Sequence, residues 1–350
     1  MRTLKENKSE DSESSLLFIS VIVAAFNRRE YLISALQSLR NQNLPSTNFE
    51  VIVIKNFKDE RIDRFIEDSG FISVLIGEMK VGEMLRCAFS YSKGKVISFL
   101  DDDDVFVPDK LEKVLEVFRN FPKCGYYHNH HSVIDSSGTD MPFEVREAPP
   151  NALWFENADA FIGKLGKTYR FSPDFNLSCI SVARAVVANQ ITMLDGVLAA
   201  TDSSLMILSL ESKLGVYLDN RRLTKYRIHS STSATLDKDS LVSGMSARNL
   251  KENVLTFQLL YYATEENRLR KIIAQKLVES ELKLAIIDGT SSFVIRPIDL
   301  LSLIESSIRP TQRYKGLLFV YYVVSRLNRK LGRQMYMASR FSRQKKKKVS

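Results

Sequence analysis

The sequence predicts an α/β fold, with a mostly parallel sheet flanked by helices and a smaller helical region at the C-terminus. Short runs rich in Val and Ile alternate with segments of helical spacing, as in sheets whose strands are buried on both faces. After Ser233 the alternation stops, and helical spacing alone continues. Helices are predicted there over Leu241–Ile287 and Pro297–Arg340, with a break at Asp288–Ser292.

The first strand is predicted at Phe18–Ala25, a continuous apolar run of β-branched residues. A polar turn, Phe26–Arg29, follows, and Tyr31–Leu39 then places its apolar residues on one side of a helix. Further strands with the same pattern are predicted at Phe49–Ile54, Ile72–Ile76 and Lys95–Leu100. Sheets of this kind bind ligands at the carboxyl ends of their strands.

The fourth strand runs directly into four consecutive aspartates, Asp101–Asp104, and Pro108 then opens a helix. Later strands are predicted at Gly125–Val133, Leu177–Val182 and Tyr217–Tyr226. A helix is predicted over Asp202–Leu210, with Asp202 as its N-cap. The stretch Met141–Phe175 has no regular pattern.

These patterns divide the chain into a disordered lead-in at 1–15, an α/β domain over 16–235, a helical region over 236–340 and a basic tail at 341–350. The formal net charge is +9, and much of the excess lies near the C-terminus. Such a block of charge indicates an interaction surface. No apolar run reaches the roughly 20 residues that span a bilayer.

The three cysteines, Cys87, Cys124 and Cys179, are far apart in the sequence. An odd number without close spacing argues against a disulfide framework or a structural zinc site. The sequence therefore predicts a reducing compartment and a cytoplasmic protein, with peripheral attachment to the cytoplasmic face of the membrane as an added hypothesis.

Four adjacent carboxylates repel one another and raise one another's pKa. Because they follow a strand that ends at a ligand crevice, a divalent cation best explains them, and Mg²⁺ and Mn²⁺ both accept carboxylate and phosphate oxygens. The alternative is a cluster of acids that stabilises the N-terminus of the next helix. That alternative accounts for one or two of the four.

Four segments in this order resemble the family 2 glycosyltransferases, which have the GT-A fold. The segments are VIVAAFNR at Val21–Arg28, FLDDDDVFVP at Phe99–Pro108, ATDSSL at Ala200–Leu205 and YRIHSSTS at Tyr226–Ser233. The resemblance covers about the first 235 residues and not the C-terminal third. It implies transfer of a sugar from a nucleotide-diphosphate sugar to an acceptor hydroxyl of a glycan or a lipid-linked glycan.

By this resemblance Asp202 is the catalytic base of an inverting single displacement, and Asp103 and His229 hold the metal. Asp59 stands near the place where the family usually has two acids that hold the nucleotide base, and Arg86 stands near a place that often has an Arg-Asn pair. The residues expected to bind the nucleotide-sugar are Ala25, Asn27, Arg28, Asp59, Arg86, Asp101, Asp102, Asp104 and Arg227.

Acceptor binding is assigned to Trp154 and Phe155, which lie in the irregular stretch where the family usually binds its acceptor. Packing in the core is the equal alternative for both rings. The histidines of the segment His128–His131 could indicate a zinc site. The sequence offers no further zinc ligands, so a strand near the acceptor groove is the favoured interpretation of this segment. Asp202 could also be a simple N-cap of its helix, and this interpretation is compatible with its role as the base.

Two other functions compete with glycosyl transfer. A sugar nucleotidyltransferase usually has a glycine-rich phosphate loop after its first strand, and Ala24–Arg29 contains no glycine. A non-catalytic scaffold that binds nucleotides or a membrane surface is the other alternative. The basic C-terminus lacks the aromatic residues of a nucleic-acid module, so no nucleic acid is expected. An anionic membrane surface is the expected partner of that segment.

Overall fold

The computed structural model describes residues 19–142, 151–164, 173–229, 247–288 and 313–349. The predicted lead-in, the boundary near residue 235 and the serines after His229 lie outside these residues.

The described strands form one nine-stranded sheet with the order β3-β2-β1-β4-β8-β6-β9-β5, and β7 pairs with β9. Most of the predicted strands are present with similar bounds. The strands are β1 Ile19–Ala25, β2 Phe49–Lys55, β3 Ile72–Leu75, β4 Val96–Asp101, β5 Val105–Phe106, β6 Cys124–Ile134, β7 Leu153–Phe155, β8 Ile180–Ala183 and β9 Gly215–Arg227.

The sheet is mixed, and the predicted parallel arrangement holds for β3, β2, β1 and β4. Strand β8 runs antiparallel to both β4 and β6, whereas β6 and β9 are parallel. Strands β5 and β7 both run antiparallel to β9. A strand buried on both faces has the same apolar pattern whichever way its neighbours run, so the sequence pattern does not encode this direction.

Helices cover the sheet and form the C-terminal region. They are α1 Leu32–Arg40, α2 Glu60–Asp68, α3 Val81–Tyr91, α4 Lys110–Asn120, α5 Ala158–Lys164, α6 Arg184–Ala188, α7 Thr201–Glu211, α8 Ala247–Ala263, α9 Asn267–Asp288, α10 Arg313–Leu327 and α11 Arg329–Val349.

Three local predictions differ from the structure. The N-cap of α7 is Ala200, in the left-handed conformation with φ 51°, so Asp202 lies inside the first turn instead of capping it. The strand predicted from Leu177 begins with a 3₁₀ turn, because the Asn176 side chain accepts a hydrogen bond from the Ser178 N–H. Pro108 lies just before α4, which begins at Lys110.

Two hydrophobic cores cover the two faces of the sheet. In β1, Ile22 belongs to one core and Val21 and Val23 belong to the other, as the period of two in a strand requires. Phe257 of α8 and Ile273 of α9 pack into the first of these cores. The C-terminal region is therefore joined to the α/β domain by apolar contacts, and it has a further core among α8, α9, α10 and α11.

None of the helices within the described ranges combines the length and the apolar character that crossing a bilayer requires.

The register of the sheet brings the first turn and the acidic cluster together. Ala24 of β1 pairs with Asp101 of β4, so the residues that follow both strands emerge side by side. Asn27 and Asn56 exchange two hydrogen bonds of 2.9 Å, which tie the ends of β1 and β2. The carboxyl ends of the parallel strands therefore form a single edge, as the sequence predicts.

Helix α3 is held against the 3₁₀ turn at Ile191–Gly196 by a close approach at Gly82. Its backbone N–H donates to the Val197 carbonyl at 3.0 Å. A Cβ atom placed on Gly82 would lie 1.8 Å from the Leu194 carbonyl oxygen. Only glycine allows the first turn of α3 to lie this close.

We expect Gly82→Ala to destabilise the fold by about 3 kcal/mol, because the obstructing atom belongs to the backbone and cannot move aside. The free energy of unfolding, from denaturant titration, measures this. Gly77→Ala is the matched control, since a Cβ there meets nothing within 4 Å. Equal stability of the two variants would contradict the assigned packing.

Candidate active site

Arg28 connects the turn after β1 to the acids after β4. Its Nε donates to Asp102 Oδ1 at 3.0 Å, and its Nη1 lies 2.7 Å from Asp103 Oδ2. His229, which follows β9, places Nε2 at 2.9 Å from the same Asp103 oxygen and at 3.2 Å from Arg28 Nη1. Three parts of the chain thus meet at Asp103.

The charge of Arg28 is stabilised by these partners. Burial opposes the charged form, but the hydrogen bond to Asp102 and the charges of Asp101–Asp103 outweigh it, and the pKa of Arg28 is raised. The guanidinium therefore stays fully charged and offsets part of the negative charge of the cluster.

Asp104 is held differently, because its carboxylate is fully buried and surrounded by protein donors. Its Oδ2 accepts from Asn176 Nδ2 at 2.8 Å and from Ser178 Oγ at 2.7 Å. Its Oδ1 accepts from the Arg227 backbone N–H at 2.9 Å. Asp104 therefore anchors the cluster to the segment before β8 and to the end of β9.

Burial and mutual repulsion raise the pKa of three of these carboxyls. The pKa of Asp101 is raised well above its usual value, first by burial and then by Asp104, Asp103 and Asp102. Burial raises the pKa of Asp102 to about 6, although Arg28 opposes the shift. Burial and Asp103 raise the pKa of Asp104 to about 7, against the hydrogen bonds from Arg227, Asn176 and Ser178.

The cluster has the composition of a site for a hard cation. Asp101, Asp103 and Asp104 each offer a carboxylate oxygen, and these atoms lie within 4.8 Å of one another. Oxygen ligands of this kind match Mg²⁺ and Mn²⁺. Because Asp104 already accepts three hydrogen bonds, Asp101 and Asp103 are the residues best able to hold the ion.

A cleft of about 750 Å³ opens on one side of the acids. Asp101 and Asp102 line it, as do Arg248 and Glu252 of α8. Its remaining lining residues come mainly from the turn after β1 and the start of α3, and include Phe26, Asn27, Arg28, Glu78, Met79, Lys80, Glu83, Leu198 and Thr201. The size is within the range of ligand-binding pockets.

A smaller cleft of about 350 Å³ lies next to it and contains Asp202. Both clefts are lined by Arg28, Asp101, Leu177 and Thr201. The lining residues that only the smaller one has are Asp103, Phe175, Asn176, Ala200, Asp202 and Tyr226. The acids therefore lie where two clefts meet, with Asp202 on the side of the smaller one.

Asp202 lies next to a partly buried ion pair, formed by Asp174 and Lys276. The Ser203 N–H donates to Asp202 Oδ1 at 2.7 Å, and the Ser203 hydroxyl donates to Asp174 Oδ2 at 2.5 Å. Lys276 of α9 donates to the same Asp174 oxygen at 2.5 Å. Burial and the charge of Asp174 raise the pKa of Asp202 to about 6, while Lys276 opposes the shift.

Residues 20–172 match the sequence profile described as Glycosyl transferase family 2. Over these residues, the family 2 region, the chain is similar to that family. The family 2 region includes the turn after β1 and the acidic cluster, whereas Asp202 and His229 lie beyond it.

Curated relatives extend the likeness. An uncharacterized glycosyltransferase of Haemophilus influenzae is 37% identical over 145 residues, which cover 40% of this chain and 49% of that protein. Uncharacterized glycosyltransferase alr2836 of Nostoc sp. is 25% identical over 166 residues, covering 46% of this chain and 50% of that protein. The chain thus spans about half the length of these relatives.

Solved structures confirm the GT-A fold. The crystal structure of Staphylococcus aureus TarS 1-349 has a TM-score of 0.58 at 14% identity, and the match covers 92% of each chain. The same fragment in complex with UDP-GlcNAc also has a TM-score of 0.58, at 13% identity and with 92% of each chain covered.

Several predicted site residues of the family 2 region lie away from both clefts. Ala25 is fully buried, and its neighbour Ala24 lines the large cleft instead. Asp59 caps α2 by accepting from the Ile62 N–H at 3.1 Å. Arg86 pairs with Asp195 on the surface.

Arg227 is buried behind the acids. Its Nε donates to the Asp103 carbonyl at 2.7 Å and its Nη1 to the Asp135 carbonyl at 3.1 Å. Its guanidinium also lies 4.7 Å from the centre of the Tyr31 ring. These contacts bind the backbone of the acidic cluster, and the side chain lines neither cleft.

The two residues assigned to the acceptor also lie elsewhere. The ring of Trp154 packs 4.8 Å from that of Phe121, and Phe155 packs edge-on against Phe161 in the core. Neither lines the clefts beside the acids. His128 is buried with Nε2 at 2.8 Å from the Phe175 carbonyl, and burial lowers its pKa to about 4, which agrees with a structural role.

Sequence reasoning overlooked the segment Pro173–Ser178. Its polar residues Asp174, Asn176 and Ser178 alternate. Asn176 and Ser178 both donate to Asp104, and Asp174 accepts from the hydroxyl of Ser203, the neighbour of Asp202. This alternation, in a segment with apolar residues between, was the available signal. Nothing in the sequence indicated that Lys276, about a hundred residues later, completes the same network.

Proposed function

We propose that the protein transfers a sugar from a nucleotide-diphosphate sugar to an acceptor hydroxyl, with a divalent metal at the acidic cluster. The single observation that carries this proposal is the meeting of two clefts at Arg28, Asp101 and Thr201, with Asp202 in the smaller one. The family 2 region and the UDP-GlcNAc complex of TarS support a nucleotide-sugar as donor.

In this proposal the donor occupies the large cleft, with its diphosphate near Arg28 and the acids. Asp101 and Asp103 would hold a divalent cation, which would supply positive charge for the diphosphate. Arg28 adds the fixed charge of its guanidinium at the same place. His229 orients Asp103 through the hydrogen bond between them.

The acceptor occupies the smaller cleft, where Asp202 takes the proton of the attacking hydroxyl. The acceptor oxygen forms a bond to the anomeric carbon as the bond from that carbon to the phosphate oxygen breaks. The nucleoside diphosphate leaves with the electron pair, and the anomeric configuration is inverted. With a pKa of about 6, Asp202 is ionised at neutral pH and accepts a proton more readily than an ordinary aspartate.

Donor binding is tested by melting the protein with nucleoside diphosphates and nucleotide-sugars, with and without Mn²⁺. A ligand that binds only the folded state raises the melting temperature. We expect a rise that requires Mn²⁺ and is lost in Asp103→Ala, because that change removes a cation ligand. Asp68→Ala, an exposed acid of α2, is the control and should keep the rise.

The absence of a shift with every nucleotide would contradict the proposed donor site. Release of pyrophosphate from a nucleoside triphosphate and a sugar phosphate would favour the nucleotidyltransferase alternative.

Asp202→Asn should lower the turnover rate by roughly a hundredfold to ten-thousandfold, because the base is lost. The Kd of the donor should stay nearly the same, since the side chain lies in the other cleft. In the unmutated protein the rate should fall as the pH drops through about 6, where Asp202 becomes protonated. Steady-state kinetics measure the turnover rate, and calorimetry measures the Kd of the donor. An Asp202→Asn variant with full turnover would rule out the role of Asp202 as base. Donor binding without turnover in the unmutated protein would favour the non-catalytic scaffold.

Attachment to an anionic membrane surface belongs to the same proposal, because a lipid-linked acceptor would be found there. Residues 313–349 contain no acid and many lysines and arginines. On α10 and α11, apolar and basic side chains are exposed together. They are Leu317, Val320, Val323, Arg326, Leu327, Arg329, Lys330, Leu331, Arg333 and Met335. Such a surface matches an anionic lipid interface.

The protein should sediment with vesicles that contain anionic lipid at low salt, and moderate salt should release it. Replacing Arg329 and Lys330 together by Glu should weaken this binding, since each basic residue near the surface contributes about 1 kcal/mol. Arg64→Glu, at an exposed position of α2, is the control. Failure to bind anionic vesicles at low salt would remove the membrane from the proposal.

A further inference from the structure

Three aromatic rings are clustered at the smaller cleft. The centres of the Phe175 and Tyr226 rings are 5.3 Å apart, in an edge-to-face arrangement. His131 of β6 lies 5.1 Å from Phe175 and 5.9 Å from Tyr226. Phe175 and Tyr226 both line the cleft that contains Asp202.

These rings are partly exposed, unlike many aromatic residues of the sheet. Phe175, Tyr226 and His131 all have intermediate exposure, whereas Tyr126 and Tyr127 of β6 are fully buried. Aromatic rings that keep one surface open inside a concave site are typical of ligand pockets. Packing in the core therefore does not account for these two rings, and their position in the cleft suggests contact with a ligand.

Most of the other residues that line the cleft are polar, and Leu177 and Ala200 are the apolar ones among them. Asp101, Asp103, Asn176 and Asp202 line it together with the two rings. An acyl chain would leave these polar groups without partners. A sugar ring has both kinds of surface, since its C–H groups form an apolar face and its hydroxyls donate and accept hydrogen bonds.

We propose that Phe175 and Tyr226 form an acceptor subsite that stacks against the C–H face of a sugar ring. His131 packs against both rings and does not itself line the cleft. The inference rests on the proposed function, because it assigns the ring to the acceptor on the evidence that Asp202 lines the same cleft. It replaces the assignment of acceptor binding to Trp154 and Phe155.

A second aromatic cluster provides a matched control. The rings of Phe121, Trp154 and Tyr217 also pack together, with centres 4.8 Å and 5.1 Å apart, but none of them lines either cleft beside the acids. Substitutions in this cluster remove a similar ring without touching the proposed subsite.

Saturation-transfer NMR with a panel of methyl glycosides tests the stacking directly, and methyl glycosides contain no aromatic ring of their own. We expect transfer to the C–H protons of at least one glycoside with the unmutated protein. Tyr226→Leu and Phe175→Leu should each reduce that signal several-fold, and Tyr226→Phe should keep it, because the ring face is retained. Tyr217→Leu and Trp154→Leu should also keep it.

Kinetics give the second measurement. With a glycoside that serves as acceptor, each Leu variant at the cleft should raise the acceptor KM by roughly tenfold and leave the donor Kd unchanged. Thermal melting identifies a variant that fails to fold, and in that case Tyr226→Phe compared with Tyr226→Ser tests the same ring.

The subsite would be overturned by an absence of saturation transfer to every glycoside in the unmutated protein. An equal loss of signal in Tyr217→Leu or Trp154→Leu would also overturn it. Ring-dependent glycoside binding in a protein that never turns over a nucleotide-sugar would contradict the proposed function and keep the subsite.

Discussion

The structure depends on how four adjacent aspartates are held at the carboxyl end of β4. Buried carboxylates are costly unless they are paired or accept hydrogen bonds. Asp104 accepts three, from Asn176, Ser178 and the backbone of Arg227, and these donors come from two distant parts of the chain. The same bonds that satisfy the acid therefore fix the segment before β8 and the end of β9 against β4.

The remaining acids are balanced by side chains that also belong to the proposed chemistry. Arg28 pairs with both Asp102 and Asp103, and His229 bonds to Asp103. The charge of Arg28 opposes the rise in the pKa of Asp102, and both side chains make hydrogen bonds to the acids. A cation bound at this edge of the sheet would also reduce the repulsion between the carboxylates.

The sequence predicted the features that depend on local pattern. Buried strands, the turn at Asn27 and Arg28, and the acids after β4 follow from runs of apolar residues and from where they stop. Positions that depend on distant partners were not predictable in this way. Trp154 packs on Phe121 and Arg86 pairs with Asp195, and no spacing in the chain indicates either partner. The direction of β8 was equally hidden, because both directions bury the same side chains.

The departure from the family pattern after β2 has a structural consequence for the large cleft. Lys55 is buried there, bonded to the Phe57 carbonyl at 2.9 Å and paired with Asp63 at 2.7 Å, and Asp59 caps α2. These side chains are occupied in holding α2 to the sheet. Lys80 and Glu83 at the start of α3 and Arg248 and Glu252 of α8 also line the large cleft, so under the proposed function these four are available to contact the donor. Under that proposal donor selection depends partly on the C-terminal region. This region lies outside the family 2 region, but it contributes Arg248 and Glu252 to the large cleft and Lys276 to the ion pair next to Asp202.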